Sequence, residues 1–407
     1  MSSEWKVYSL GEVVSFKTGR LDSNAAEEKG KYPFFTCSPI TLQINIFAFD
    51  TEAVLLAGNN ANGVFSTKYY KGKFNAYQRT YIIEPIFPDK TNCKYLYFVI
   101  SDLVGHLKEL SIGSATKFLT KTILNELQIS LPPKFEQDKI ESFLSALDDR
   151  IILLRETNAT LEAIAQALFK SWFVDFDPVH AKMQGTPPEG MDEQTAALFP
   201  DSFEESELGL VPAGWEVGEL ADIVTTAKKQ LQVSNLTSEL NYVGLEYIPR
   251  KSLSLTDWGN AEGLESAKSA FSKGDILFGK LRPYFHKVVV APFDGVCSTD
   301  ILVCQPKIPA YYGITAMLLF STALISYAER LSNGAKMPRV NWKDLANYPV
   351  CIPPEHLAAN FTETITPLFS LMAENVHKAQ TLADLRDTLL PRLISGQLRV
   401  GDVDATT

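Results

Sequence analysis

Leu144-Ser-Ala-Leu147-Asp-Asp-Arg-Ile151-Ile-Leu-Leu154-Arg-Glu-Thr-Asn158-Ala-Thr-Leu161-Glu-Ala-Ile-Ala165-Gln-Ala-Leu168-Phe-Lys-Ser-Trp172 places its numbered residues at steps of three and four. All are apolar but Asn158. That alternation is the seam of a helix packed lengthwise on another helix. Pro132-Pro133 just upstream suits a helix start, Glu136 sets negative charge near the positive helix end, and Asp177-Pro178 marks the stop. The spacing returns 221 positions later as Ile365, Leu368, Met372, Asn375, Ala379, Leu382, Arg386, Leu389 and Leu393. Again a proline pair (Pro353-Pro354) and an acid (Glu355) precede it, and Pro391 marks its end. The seam is expected to use Leu147, Ile151, Leu154, Asn158, Leu161 and Leu168 against Leu368, Met372, Asn375, Leu382 and Leu389. One polar residue among the early apolar ones in each copy, Asn158 and Asn375, is expected to fix register at some cost in stability; the alternative is that each faces solvent where the seam loosens.

Working outward, the repeat covers the chain. Trp5-x-Val7-x-x-Leu10-x-x-x-Val14 recurs as Trp215-x-Val217-x-x-Leu220-x-x-x-Val224. Ser111 and Gly113 match Ser332 and Gly334, and Thr160-Leu161 match Thr381-Leu382. Ahead of each helix lie short β-branched and aromatic runs broken by Gly, Asn and Pro, such as Ala53–Leu56 and Ile301–Val303. Each of these regions also holds one helical stretch, Tyr95–Leu110 and Ile314–Leu331. The expected fold class is α+β: a β-rich domain over 1–133, a long helix over 134–176, and an acidic Pro/Gly linker over 177–205. A second β-rich domain over 206–354 and a second long helix over 355–398 complete it.

The net charge of −10 argues against a nucleic-acid partner until its location is read. Residues 174–222 hold twelve acids against Lys182, a net of −11, so the rest of the chain carries +1. Near-neutral domains with local basic loops follow. No apolar run approaches the roughly 18 residues of a membrane helix, and Met1-Ser-Ser-Glu-Trp5 has no leader pattern. Five cysteines without a CxxC pair read as reduced thiols, so a cytoplasmic protein without membrane partners is expected.

Two basic, aromatic stretches stand out. Val64–Arg79 holds four bases, five aromatics and no acid, and follows the polar turn Gly58–Gly63. Asn60, Asn62, Lys68, Lys71, Lys73, Tyr77 and Arg79 are its candidates for double-stranded DNA. Bases neutralise phosphates, while Asn, Arg and Tyr hydrogen-bond base edges. Phe278–Lys287 offers Lys280, Arg282, Tyr284, His286 and Lys287 at the corresponding place. A second loop in each copy adds Thr116, Lys117 and Lys121, and Lys336, Arg339 and Asn341. A basic loop is often only a solvated turn; recurrence in both copies lifts these above that background.

Catalytic motifs are missing. Gly274-Asp-Ile-Leu-Phe-Gly279-Lys280 approaches a phosphate loop, but Leu281 replaces the required Ser/Thr and Pro283 forbids the following helix. No Pro-Pro pair sits in an Asn/Asp-Pro-Pro-aromatic motif, and the five histidines show no metal spacing. No cofactor, metal or catalytic residue is therefore expected in the chain. A protein-binding adaptor without DNA contact, or an enzyme with an unfamiliar site, are the competing readings.

Leu131-Pro-Pro-Lys-Phe-Glu-Gln-Asp-Lys-Ile, Leu168-Phe-Lys-Ser-Trp-Phe-Val-Asp-Phe176, Pro212-Ala-Gly-Trp-Glu-Val217 and Leu389-Leu-Pro-Arg-Leu-Ile-Ser-Gly-Gln-Leu398 together resemble the specificity subunit of type I restriction–modification systems. The resemblance spans essentially the whole chain. It implies two target-recognition domains that each read half of an interrupted, asymmetric DNA site, separated by two long antiparallel helices. It also implies docking of two methyltransferase subunits that bind S-adenosylmethionine, and a separate restriction subunit driven by ATP and Mg. On that view this chain is itself non-catalytic.

Overall fold

The computed structural model describes residues 5–60, 65–110, 117–334 and 336–403, and their side chains except at 60, 104–110, 117, 118, 402 and 403. The chain forms two units, residues 1–150 with 382–407, and residues 151–381. Two helices of 40 residues each, Lys134–Phe173 and Glu355–Ile394, contribute to both.

In the first unit a six-stranded sheet has the order Val14–Thr18, Thr80–Pro85, Phe49–Ala57, Thr67–Ala76, Tyr32–Phe35, Leu42–Ile44. Every pairing is antiparallel except Tyr32–Phe35 with Thr67–Ala76. The run Ala53-Val-Leu-Leu-Ala57 is buried throughout because both faces of its strand are covered. Val54 and Leu56 join Tyr95, Leu96 and Val99 of the helix Cys93–Leu110, while Ala53 and Leu55 join Phe35, Phe74 and Ile82. Period-two alternation thus divides one apolar strand between two cores.

The second unit has a four-stranded sheet, in the order Val224–Thr226, Ile301–Pro306, Ile276–Gly279, Val288–Val290, and a five-stranded sheet of shorter strands. Its helical stretch differs from expectation. It is broken at Ser321 into Tyr312–Phe320 and Thr322–Leu331, because extended Ser321 accepts the Leu324 N–H as an N-cap. Ser321→Ala is expected to cost about 1 kcal/mol of stability, readable as a shifted denaturant midpoint. Among the described residues no single helix is long and apolar enough to cross a membrane. Pro309–Phe320 and Thr322–Leu331 qualify only as a pair bent by 62°, and their apolar side chains lie in the core.

The duplication is visible in the pairing. Lys6–Ser9 pairs antiparallel with Gln128–Leu131, and Glu216–Glu219 pairs likewise with Pro349–Ile352. Each copy follows with a one-turn helix, Leu10–Val13 or Leu220–Ile223, closed by a capping box. The acidic stretch after the first long helix is structured: it holds the helices Asp177–Met183 and Glu193–Ala197, and the hairpin Phe203–Ser206/Gly209–Pro212.

Contacts inside each unit show the long helices running antiparallel. In the first unit Asp148 meets Arg386 at 2.6 Å, and Leu144 shares a core with Leu389 and Leu393. In the second, Asn158 meets Asn375 and Phe169 meets Phe361. Pro391 does not end its helix, which continues to Ile394 and stops before Gly396 at φ +76°. A proline removes one intrahelical bond and does not by itself end a helix, and exposed Pro367 inside the same helix is a second instance. All five cysteines are free thiols. Burial pushes Cys351 up to about 11 and Cys93 and Cys297 up to about 12.

Candidate nucleic-acid interface

In the second unit the two basic loops come together. Leu281 bridges Arg339, the Val340 N–H donates to Lys280 O at 3.1 Å, and the Arg282 N–H donates to Pro338 O at 2.7 Å. The Lys280 N–H donates in turn to Asp300 O at 3.0 Å. The Arg282 Nη2 reaches Lys336 O at 3.2 Å, and the Arg339 guanidinium pairs with Asp300 at 3.2 Å. Lys336, Arg339, Asn341 and Tyr284 are exposed, and Lys280 and Arg282 are half-buried.

The same surface gains residues the sequence did not single out. The Arg250 guanidinium lies 3.8 Å from the Phe285 ring centroid, with that of Arg282 at 5.9 Å. Exposed Lys251 donates its N–H to His286 O. Lys251, Arg282 and His286 all have φ between +51° and +53°. Left-handed geometry is costly for such side chains, and held strain of this kind gathers at sites with a task. Cations at 250, 251, 280, 282, 336 and 339 lie on these linked segments, with Arg339 paired to Asp300, and cations flanking an aromatic suit a phosphate backbone and base stacking.

His286 and Lys287 turn inward. His286 is buried, its Nε2 2.8 Å from Phe320 O, and burial lowers its pKa. Lys287 is half-buried against Leu245 O, and burial lowers its pKa also.

The first unit has the same backbone junction. The Gly58 N–H donates to Arg79 O, as Lys280 does to Asp300, and the Leu119 N–H donates to Gly58 O, as Val340 does to Lys280. Asn59–Asn60 pairs with Lys117–Phe118, which brings the predicted loops containing Asn60 and Lys117 together along the backbone. Asn62 and Thr116 lie outside the described residues, as do the side chains of Asn60 and Lys117. Tyr77 is half-buried in a bridge to Leu21, and Arg79 is exposed. Lys121 is exposed at the start of the helix Lys121–Glu126.

Lys68, Lys71 and Lys73 lie on a sheet strand, Thr67–Ala76, and each has a partner. Lys68 donates to Ser38 O at 3.0 Å and burial lowers its pKa; Lys71 pairs with Glu52; Lys73 sits 4.8 Å over Phe47.

Along the long helices Ile151, Leu154, Met372 and Leu389 are buried, and Leu147, Leu161, Leu168, Leu368 and Leu382 are half-buried. Asn158 and Asn375 are 5% and 4% exposed. The Asn375 Nδ2 donates to Asn158 Oδ1 at 2.9 Å, and the Asn158 Nδ2 donates to Met372 O at 3.0 Å.

A duplicated β-rich head, each copy leading into a 40-residue helix and presenting a knot of loops, defines a recognition scaffold. The sequence profile of the type I restriction modification DNA specificity domain matches residues 2–163 and again 212–359. The chain belongs to that family, whose role in the restriction–modification complex is a non-catalytic one. The type I restriction enzyme EcoDI specificity subunit of Escherichia coli is 33% identical over 97% of this chain and 89% of its own length. The HindI specificity subunit of Haemophilus influenzae is 25% identical over 97% of this chain and all of its own. A type I restriction–modification S subunit from M. genitalium shares the fold, with a TM-score of 0.57 and 16% identity over 96% of each chain.

Proposed function

We propose that this chain reads a bipartite, asymmetric sequence in double-stranded DNA, one half-site per β-rich head. It then positions two methyltransferase subunits, and a restriction subunit where the host encodes one. The observation that supports the reading is the shared backbone junction, at which two of the predicted recognition loops, polar or basic in composition, meet in each head. Asymmetry follows from what the copies carry there: Arg79 in one occupies the place of Asp300 in the other. Each 40-residue helix is about 60 Å long at 1.5 Å per residue, ample beside the ~34 Å of one DNA turn. In this reading S-adenosylmethionine, ATP and Mg belong to the partner subunits, and the complex works on cytoplasmic DNA.

Genome-wide methylation mapped with and without the gene tests this directly. An interrupted adenine-methylated motif should appear only with the gene. Binding to a duplex of that motif should persist at salt concentrations where binding to an unrelated duplex has faded. A chain that assembles with its partners yet shows no preference between the two duplexes overturns the reading. Deleting one heptad from a long helix should change the spacer or abolish assembly, and an unaltered motif would count against a ruler.

A further inference from the structure

Glu162 lies on the first long helix and is 6% exposed. Its Oε2 accepts the backbone N–H of Leu253 at 2.7 Å and the Ser252 hydroxyl at 3.3 Å, and its Oε1 accepts from Gln166 Nε2 at 3.1 Å. Burial raises its pKa against the opposing pull of those three donors. A buried carboxylate so bound to a backbone amide is an anchor, because a charge-assisted hydrogen bond is strong and geometrically exacting where water is excluded.

What it anchors is the segment 250–254. On its other side that segment is bound to the basic loop: the Lys251 N–H donates to His286 O at 2.9 Å, and Leu253 O accepts the Val290 N–H at 3.0 Å. Arg250, one residue before Lys251, stacks on Phe285. The opposite flank of the loop is held by Arg282 on Pro338 O and by His286 on Phe320 O. A continuous set of hydrogen bonds thus runs from the helix, through Glu162 and residues 251–253, to the strained turn at 282–286.

We propose that Glu162 is a positioning residue for half-site recognition: from the helix it fixes segment 250–254, which holds the 280–287 loop in its DNA-facing geometry. This role rests on the DNA-reading function proposed above. It touches no base and acts only through the loop.

The test uses the full-length chain assembled with its methyltransferase partner, and duplexes in which one half-site at a time is scrambled. Alanine at Arg282, Tyr284, Arg339 or Asn341, each changed in turn, first identifies the half-site that this head reads, as the one at which discrimination falls. Glu162→Ala is expected to lower discrimination about tenfold at that same half-site and to leave the other within twofold. Glu162→Gln keeps an oxygen acceptor for the Leu253 N–H and is expected to stay within twofold of the parent at both. If Glu162→Ala does not fold, Glu162→Asp, one methylene too short to reach Leu253, carries the same expectation. Equal losses at both half-sites, unchanged discrimination at both, or no rescue by Gln each overturn the positioning role. A parent chain that discriminates at neither half-site overturns the DNA-reading function itself, and this role with it.

Discussion

An Arg282→Ala, Arg339→Ala double variant is expected to bind the chain's target duplex about a hundredfold more weakly than the parent, at equal assembly with partner subunits. Removing an arginine from a base edge costs about 1–3 kcal/mol, so two such losses of about 1.4 kcal/mol each, in the lower half of that range, reach this size. The two side chains sit on loops joined through the Arg282 N–H to Pro338 O bond, and the Arg282 Nη2 also closes on Lys336 O. Arg339 adds an electrostatic consequence: its loss leaves Asp300 without that partner on a surface offered to phosphates, which adds repulsion to lost attraction. Fluorescence anisotropy of labelled duplexes over a salt series separates the contributions. If both arginines bind phosphates, the slope of log affinity on log salt becomes shallower by about two. If they read bases, the slope holds and discrimination against the scrambled half-site falls. Affinity within twofold of the parent would remove these loops from the interface.

The parts of this molecule that were legible in its sequence are those encoded by periodicity. The three–four spacing from Leu144 to Trp172 and from Ile365 to Leu393 names side chains that are all buried or half-buried, the one charged member, Arg386, pairing with Asp148. Local breaks were harder. Pro391 reads as a terminator, yet the helix runs on to Ile394, and the split at Ser321 depends on a side-chain cap that competes with continued helix. At the candidate interface, composition found the loops but not the direction each side chain takes. Lys68, Lys71 and Lys73 belong to a basic, acid-free stretch, but their partners come from elsewhere in the chain, at Ser38, Glu52 and Phe47. Arg250 and Lys251 lie some thirty residues before the loop they join, and no local motif announces them. The left-handed turns at Lys251, Arg282 and His286 are equally silent, since no glycine marks them. They persist because surrounding hydrogen bonds over-determine them.

The asparagines at the seam give a prediction of comparable size on stability. Asn158→Leu or Asn375→Leu alone is expected to cost about 2–4 kcal/mol, because each leaves a buried amide without its partner and forces a branched side chain into its place. The Asn375 Nδ2 would lose Asn158 Oδ1 in the first variant; in the second, Asn158 Oδ1 would lose its donor. The double variant should recover most of that loss and lie within about 1 kcal/mol of the parent, since replacing both members by apolar groups removes the desolvation penalty with the bond. Urea unfolding of the four proteins then yields a coupling of at least about 3 kcal/mol between the two sites. Stability and register separate here. With leucine at both positions the seam is apolar at 154, 158 and 161 and at 372, 375 and 379, so a shift by one heptad no longer buries an unpaired amide. A register role therefore predicts that the double variant, though nearly as stable, shows doubled amide resonances confined to 151–173 and 355–381. A single set of resonances with parent-like stability would reduce the pair to one satisfied buried hydrogen bond among many.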